Sequence, residues 1–220
     1  MDNNKNLQKN KRKPKKPKKR KNKLKILYTN PAGITGKINS LSATAQATGA
    51  HLIGLAETKL GKITPEVDGY KWINHPNKPG AGGVAFLVRK DMLHIIEKQE
   101  VENLENQDQQ IRWIEINNGG TKIFTGIYYG PQEKCSDEES ERQFSQITTQ
   151  INKLQKEGEV ILMGDFNAKL EIKKGKIEQE QSRNGANMQE MIDKTHVKVV
   201  STEADYGNWT RVNRNDPDEK

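Results

Sequence analysis

Asp165 and Asn167 stand two residues apart directly after the apolar run Val160-Ile161-Leu162-Met163, within the stretch Gly164-Asp165-Phe166-Asn167-Ala168. Side chains two apart on a strand share a face, so a carboxylate and an amide project together from the strand's carboxyl end. That is active-site geometry. Two other apolar runs stop in the same way: residues 24–28 run into Thr29-Asn30, and residues 51–56 run into Glu57-Thr58. In sheets crossed by helices, ligands bind outside the carboxyl ends of the strands, so Asn30, Glu57, Asp165 and Asn167 are expected to converge on one mouth. Taken singly, each has a plainer explanation: a turn former or helix cap for Asp165, a solvated strand end for Glu57, an Asx turn before Pro31 for Asn30.

The elements that would position these groups are legible in the pattern. The expected order begins with a strand over 24–28, a helix over 36–48 closed by Gly49 at its C′ position, and a strand over 51–56 that is apolar on both faces and therefore central. Short runs at 70–74, 83–89, 93–98, 110–116 and 122–129 then alternate with turn signals such as Asn77-Lys78-Pro79-Gly80 and Asn117-Asn118-Gly119-Gly120, which predicts a meander of mostly antiparallel strands. Phe144, Ile147, Ile151 and Leu154 recur at helical spacing, predicting an amphipathic helix over 137–156 that ends at Gly158. After the strand over 160–163 come a charged loop over 169–183, a short helix around 186–193, and strand-like pieces at 197–200 and 208–210.

The net charge of +8 divides unevenly. Residues 1–23 hold 12 of the 37 Lys and Arg and a single acid, Asp2, which leaves 25 basic against 28 acidic residues in the rest. The first 23 residues read as a disordered basic tail, because they have almost nothing apolar to bury and repel themselves. Such a tail serves as a nuclear address or a sequence-independent nucleic-acid anchor, or simply as a solubilising arm. No apolar segment follows it, which argues against a secretory signal, and the longest apolar runs are about six residues against the roughly 20 that a membrane helix needs. The lone Cys135 excludes an intrachain disulfide and a zinc site built from several thiolates, consistent with a reducing, nuclear or cytosolic compartment. The four histidines, His51, His75, His94 and His196, read as structural or surface groups, since none stands beside a Ser-Asp pair.

The series Asn30-Pro31-Ala32-Gly33-Ile34, Glu57-Thr58, Gly82 to Val88, Tyr128-Tyr129-Gly130-Pro131, Gly164 to Ala168 and Asn208-Trp209-Thr210 resembles the endonuclease/exonuclease/phosphatase superfamily. Within it, the likeness is to the apurinic-type endonuclease domain of non-LTR retrotransposon polyproteins, and it runs over residues 24–220. The resemblance implies a four-layered α/β sandwich of two packed mixed sheets flanked by helices, phosphodiester cleavage of DNA, and a magnesium ion, with manganese as the alternative. By the same resemblance Glu57, assisted by Asn30, matches the metal-binding glutamate, Asp165 the aspartate that orients or activates the attacking water, and Asn167 the amide that holds water and phosphate in line. Tyr129, directly before Gly130-Pro131, matches a phosphate-binding tyrosine; Tyr128 points to the opposite face of the same strand and competes for that role.

The family pattern also includes an aspartate in a Ser-x-Ile-Asp-Tyr-like strand and a histidine in a terminal Ser-Asp-His, and neither motif follows Trp209-Thr210 here. On that ground the sequence is expected to be the amino-terminal part of such a domain, without its C-terminal strands and weak or inactive as it stands. In a longer polyprotein a reverse transcriptase domain would follow. Two other readings stay open: a non-catalytic nucleic-acid-binding relic, and a phosphatase of the same superfamily.

Overall fold

In the computed structural model, residues 23–75, 82–98, 110–174 and 177–200 are described. The basic tail, the turn at 77–80 and the strand expected at 208–210 lie outside them.

The chain begins with β1 (Ile26–Thr29), α1 (Ile38–Thr48) and β2 (Leu52–Ala56). Gly49 takes a left-handed conformation (φ 59°) and its N–H reaches the carbonyls of Ala45 and Gln46, so α1 stops where the sequence places its glycine. β2 lies parallel to β1 and antiparallel to β4 (Val84–Arg89), which pairs in turn with β3 (Tyr70–His75), giving a sheet of order β1-β2-β4-β3. All five residues of β2 are buried, as expected of a central strand.

A second sheet, of order β5-β6-β7-β8, is formed by β5 (Ile96–Lys98), β6 (Ile111–Asn118), β7 (Thr121–Tyr129) and β8 (Glu159–Asp165). The meander expected over 70–129 is divided between the sheets: β3 and β4 pair antiparallel in the first and β5, β6 and β7 in the second, where β6 and β7 are joined at Gly119-Gly120, both with positive φ. β8 then joins β7 in parallel after a crossover through α2 (Asp137–Leu154). Ser136 caps α2, its hydroxyl accepting from the Glu139 N–H at 3.2 Å, and Asp137, Glu138 and Glu139 fill the first turn, where the helix dipole favours acids.

Three apolar layers hold this together. Leu52, Val84, Phe86, Ile114 and Ile127 pack between the two sheets. Leu41 and Ala45 of α1 cover Ile53, Leu55 and Leu87 on the outside of the first sheet. Phe144, Ile147 and Ile151 of α2, with Met191 of α3 (Arg183–Thr195), cover Trp113, Phe124 and Tyr128 on the outside of the second. The result is the four-layered α/β sandwich: helix, sheet, sheet, helices.

Three expectations need correction. The run at 93–98 is strand only from Ile96; Lys90–Ile95 form a 3-10 helix. Arg89 clamps Asp91 through Nε at 2.7 Å and Nη2 at 3.0 Å, which curls the chain at the helix start, and Met92 is buried one turn before Ile95. The charged loop at 169–183 contains an antiparallel hairpin, β9 (Ile172–Lys174) and β10 (Ile177–Gln179), in which Ile177 pairs with Lys174 across a two-residue connection. Residues 197–200 form no strand: His196 turns left-handed (φ 55°) to end α3, and the residues described after it have no regular secondary structure.

Candidate active site

β8 does not stop before Asp165 but carries it as the last paired residue, opposite Tyr129 of β7. The approach is close because Gly164 has no side chain; a Cβ there would sit 2.0 Å from the Tyr128 carbonyl oxygen. Gly130 donates its N–H to the Asp165 carbonyl at 2.6 Å, and a Cβ on Gly130 would sit 2.5 Å from the Phe166 carbonyl oxygen. The glycines thus lock the Tyr-Gly-Pro turn against the Gly-Asp-Phe-Asn turn.

The Asp165 carboxylate is held from two sides. Oδ1 accepts from the Asn167 backbone N–H at 3.0 Å, and Oδ2 accepts from Asn30 Nδ2 at 2.8 Å, a bond that crosses from the first sheet to the second. Asn30 is fixed in turn because its Oδ1 accepts from the Ala32 N–H at 2.8 Å, the Asx turn foreseen before Pro31, so turn former and site residue are the same side chain. Asn167 Nδ2 donates to the Gly130 carbonyl at 3.0 Å. Glu57 directly follows β2 with φ 52°, and its carboxylate pairs with Lys59 Nζ at 3.1 Å.

Strand alternation separates the two tyrosines. Tyr129 faces the inter-sheet core and lines an open cleft of about 600 Å³ together with Glu57, Lys59, Gln110 and Gln132; its hydroxyl accepts from Gln132 Nε2 at 3.4 Å. Tyr128 faces α2, edge-on to Phe144 (6.3 Å) and Phe166 (5.3 Å), and its hydroxyl donates to Gln143 Oε1 at 3.2 Å. All five residues singled out in the sequence therefore meet at the carboxyl ends of β1, β2, β7 and β8.

Three contributors escape a sequence reading. Tyr28, two residues before Asn30 on the same strand face, has a buried hydroxyl without a hydrogen-bond partner among the described residues. Its ionisation is pushed far above the usual phenol range, first by burial and then by the charges of Asp165, Tyr129 and Glu57, so it is a neutral donor beneath the mouth. Lys59 follows Glu57 by two residues and was detectable only as the nearest cation. Asn184 is 1 % exposed and donates from Nδ2 to the carbonyls of Pro131 (2.7 Å) and Asn167 (2.9 Å), while its Oδ1 accepts from Ser140 Oγ (2.8 Å). It ties both turns of the mouth to α2 and α3, and an Asn two residues after the Ser182 cap gives no local sign of that.

Backbone conformation marks the same place. Of the five non-glycine residues with positive φ among those described, four flank the mouth: Ala32, Glu57, Lys59 and Asn167. Such conformations cost on the order of 1–3 kcal/mol each and cluster at functional sites.

His51, His94 and His196 behave as structural or surface groups, and the His75 side chain lies outside what is described. His51 Nδ1 accepts from the Lys25 N–H at 2.9 Å at the far end of β2, and the His94 ring bonds the Asp91 carbonyl oxygen at 2.7 Å. His196 is an exposed helix terminus. Among the described residues no group of three or more His, Cys, Asp and Glu forms a metal cage. The mouth instead offers two carboxylates, two amide oxygens and two phenols, all hard oxygen donors. That set does not fit an ion requiring several nitrogen or sulfur ligands, and it fits magnesium, which keeps most of its waters and takes one or two carboxylates.

A sequence model of the Endonuclease/Exonuclease/phosphatase family matches residues 24–216. Among solved structures, an AP endonuclease from Leishmania major is similar with a TM-score of 0.63 at 14% identity, over 78% of this chain and 66% of that one. The endonuclease domain of TRAS1, a telomere-specific non-LTR retrotransposon, gives a TM-score of 0.57 at 16% identity, over 79% and 71% of the two chains. An AP endonuclease from Archaeoglobus fulgidus gives 0.55 at 15% identity, over 78% and 70%. The chain thus spans about two thirds of the length of the first of these. No curated relative matches.

Proposed function

This chain belongs to the endonuclease/exonuclease/phosphatase family, and from that premise we propose that it is a magnesium-dependent endonuclease domain that nicks DNA. The observation that carries the reading is the Asp165 carboxylate, clamped by Asn30 from one sheet and by the Asn167 N–H from its own turn, with Tyr129 opposite it on β7 and Glu57 lining the same cleft as Tyr129. Two fixed donors set the plane of the carboxylate and leave each oxygen one lone pair for an attacking water. Asp165 would orient that water and take its proton as the phosphorus–oxygen bond forms. The Tyr129 O–H would donate to a non-bridging phosphate oxygen as charge gathers there, and the second hydrogen of Asn167 Nδ2 would hold the phosphate in line. Glu57, with Asn30, would hold the metal; when bound, it would polarise the phosphate and stabilise the leaving oxygen. Lys59 supplies a cation on the Glu57 carboxylate in the free protein and would be displaced toward the phosphate.

The likeness to a retrotransposon endonuclease fold supports target DNA as substrate, the nick providing a 3′-hydroxyl for a reverse transcriptase encoded in the same element. The 12 basic residues of the first 23 would add sequence-independent, salt-sensitive affinity for DNA and address the protein to the nucleus. The test is nicking of supercoiled plasmid with and without magnesium. Whatever nicking this chain retains requires magnesium; the chain carried on through a Ser-x-Ile-Asp-Tyr strand and a Ser-Asp-His motif nicks faster, and there Glu57→Ala and Asp165→Ala each lose at least about 100-fold in rate. Variants as fast as the parent would place the chemistry elsewhere, and DNA binding without any cleavage would favour a non-catalytic binding module.

A further inference from the structure

The Tyr129 hydroxyl has a single hydrogen to give and lone pairs to fill, so what its oxygen accepts decides where its proton can go. Among the described residues its hydrogen-bond partner is Gln132 Nε2, which donates to it at 3.4 Å. An amide nitrogen donates and does not accept. The contact therefore occupies the acceptor side of the phenol and leaves the O–H free, in the cleft that both side chains line with Glu57 and Lys59. The main chain sets this up. The Tyr129 N–H is held by the Gln110 carbonyl at 2.8 Å, and the Pro131 carbonyl accepts from the buried Asn184 at 2.7 Å. The Gln132 carbonyl then accepts from the Cys135 N–H at 3.0 Å, which closes a turn over 132–135. With its backbone held on either side, Gln132 has only its own side-chain torsions left to choose.

We propose that Gln132 is a positioning residue: by donating to the Tyr129 oxygen it turns the phenol proton away from the turn and into the cleft, toward the phosphate oxygen on which charge gathers. The bond also polarises the O–H and makes it a stronger donor, because hydrogen bonds in a chain strengthen one another. At 3.4 Å the contact is long, as hydrogen bonds of a catalytic site often are before substrate is bound, and it tightens when the phosphate engages the proton. The direction of the amide is decisive. An oxygen in place of Nε2 would accept the Tyr129 proton and withdraw it from the substrate. The role rests on the phosphodiesterase reading above; the direction of the bond does not.

The test compares Gln132→Met, Gln132→Glu and Tyr129→Phe for single-turnover nicking at saturating DNA, in this chain and in the chain carried on through the Ser-x-Ile-Asp-Tyr and Ser-Asp-His motifs. Gln132→Met keeps the length and loses the donor: the rate falls about 3- to 10-fold, the worth of one neutral hydrogen bond, and the half-saturating DNA concentration stays the same. Gln132→Glu presents an acceptor to the phenol, and its loss approaches that of Tyr129→Phe. Added to Tyr129→Phe, Gln132→Met costs nothing further, because the hydroxyl it acts through is gone. A loss that persists in that background means that Gln132 touches the phosphate itself or only shapes the turn, and overturns the proposal, as does a methionine variant as fast as the parent. Neutron diffraction from the deuterated parent reads the bond without turnover: the Tyr129 deuterium points away from Gln132, and one directed at Gln132 Oε1 overturns the proposal. A parent that nicks in neither form at any magnesium concentration overturns the functional reading instead, while the neutron result still decides the direction of the bond.

Discussion

Replacing Asn184 with alanine tests whether the mouth is braced from outside. The side chain makes three hydrogen bonds in a buried site, to Pro131 O, Asn167 O and Ser140 Oγ. The Ser140 oxygen still accepts from Asn187 Nδ2 at 2.9 Å, while its O–H loses its acceptor. The two carbonyls are left without donors. Pro131 is buried and has no other way to be satisfied, whereas Asn167 is half-buried and recovers part of its loss from water. At roughly 1–3 kcal/mol for an orphaned buried group, discounted for Asn167, the expected destabilisation is about 2–4 kcal/mol. Urea unfolding should show it as a lower midpoint with unchanged slope. Asn184→Asp keeps the acceptor for Ser140 but turns an oxygen toward both carbonyls, so it should be at least as damaging as alanine. Asn187→Ala, which loses one bond at a half-buried position, should cost about 0.5–1 kcal/mol. In the nicking assay, Asn184→Ala should lower kcat more than it raises KM, since the turns carrying Tyr129 and Asn167 lose their common anchor. A loss below about 1 kcal/mol, or an aspartate variant as stable as the parent, would refute the reasoning.

Further outcomes follow from the same geometry. Tyr129→Phe should reduce nicking by about 10- to 1000-fold, whereas Tyr128→Phe, which faces α2, should leave nicking unchanged and cost about 0.5–1.5 kcal/mol for the bond to Gln143; equal effects in the assay would mean that the strand register is wrong. At position 57, where φ is 52°, Glu57→Gly should be more stable than Glu57→Ala by about 1 kcal/mol, the reverse of their order in a helix or strand, with both variants inactive; an alanine variant that is the more stable would show that the left-handed conformation is not held in solution. His51 has its pKa lowered below 6.5, chiefly by burial and then by Arg89, so the folded state prefers the neutral ring that accepts from Lys25. Its contribution to stability is therefore complete above pH 6.5 and declines as pH falls toward the folded-state value. Melting temperatures between pH 7.5 and 5.5 should fall less steeply in His51→Asn, which keeps an acceptor and cannot take up a proton; parallel slopes would remove His51 as the cause.

How much of this was legible beforehand depends on how local the cause is. Gly49 closing α1, the helical spacing of Phe144, Ile147 and Ile151, and the all-apolar 52–56 run are decided by a few neighbouring residues, and the elements appear where the pattern puts them. The 3-10 helix at 90–95 was not legible because apolar Leu93, Ile95 and Ile96 fit a strand equally well, and the deciding interaction is the Arg89–Asp91 clamp. Alternation alone could say that Tyr128 and Tyr129 face opposite ways; which of them faces the cleft is fixed by α2, whose Phe144 takes one side of β7.

The site divides along the same line, and the division has a consequence for how it works. The groups proposed to touch substrate sit at strand ends, where type and position in the chain reveal them. Those that hold them do not: Asn30 reaches Asp165 across 135 positions of sequence, and Asn184 reaches Pro131 across 53. Asp165 is thus fixed by a bond that exists only in the assembled sandwich, and the Asn167 turn by one that needs α3 in place. Glu57, Lys59 and Asn167 moreover occupy backbone conformations that an isolated strand or turn would abandon at a gain on the order of 1 kcal/mol apiece. Activity should therefore be more sensitive than secondary structure to anything that loosens the contact between the sheets. Under mild denaturant, nicking should disappear before the helical signal does, because the mouth needs the Asn30–Asp165 bond between the two sheets, whereas α2 packs on the second sheet alone. Coincident loss of both would mean that the two sheets and the helices unfold as one cooperative unit and that the mouth has no separate vulnerability.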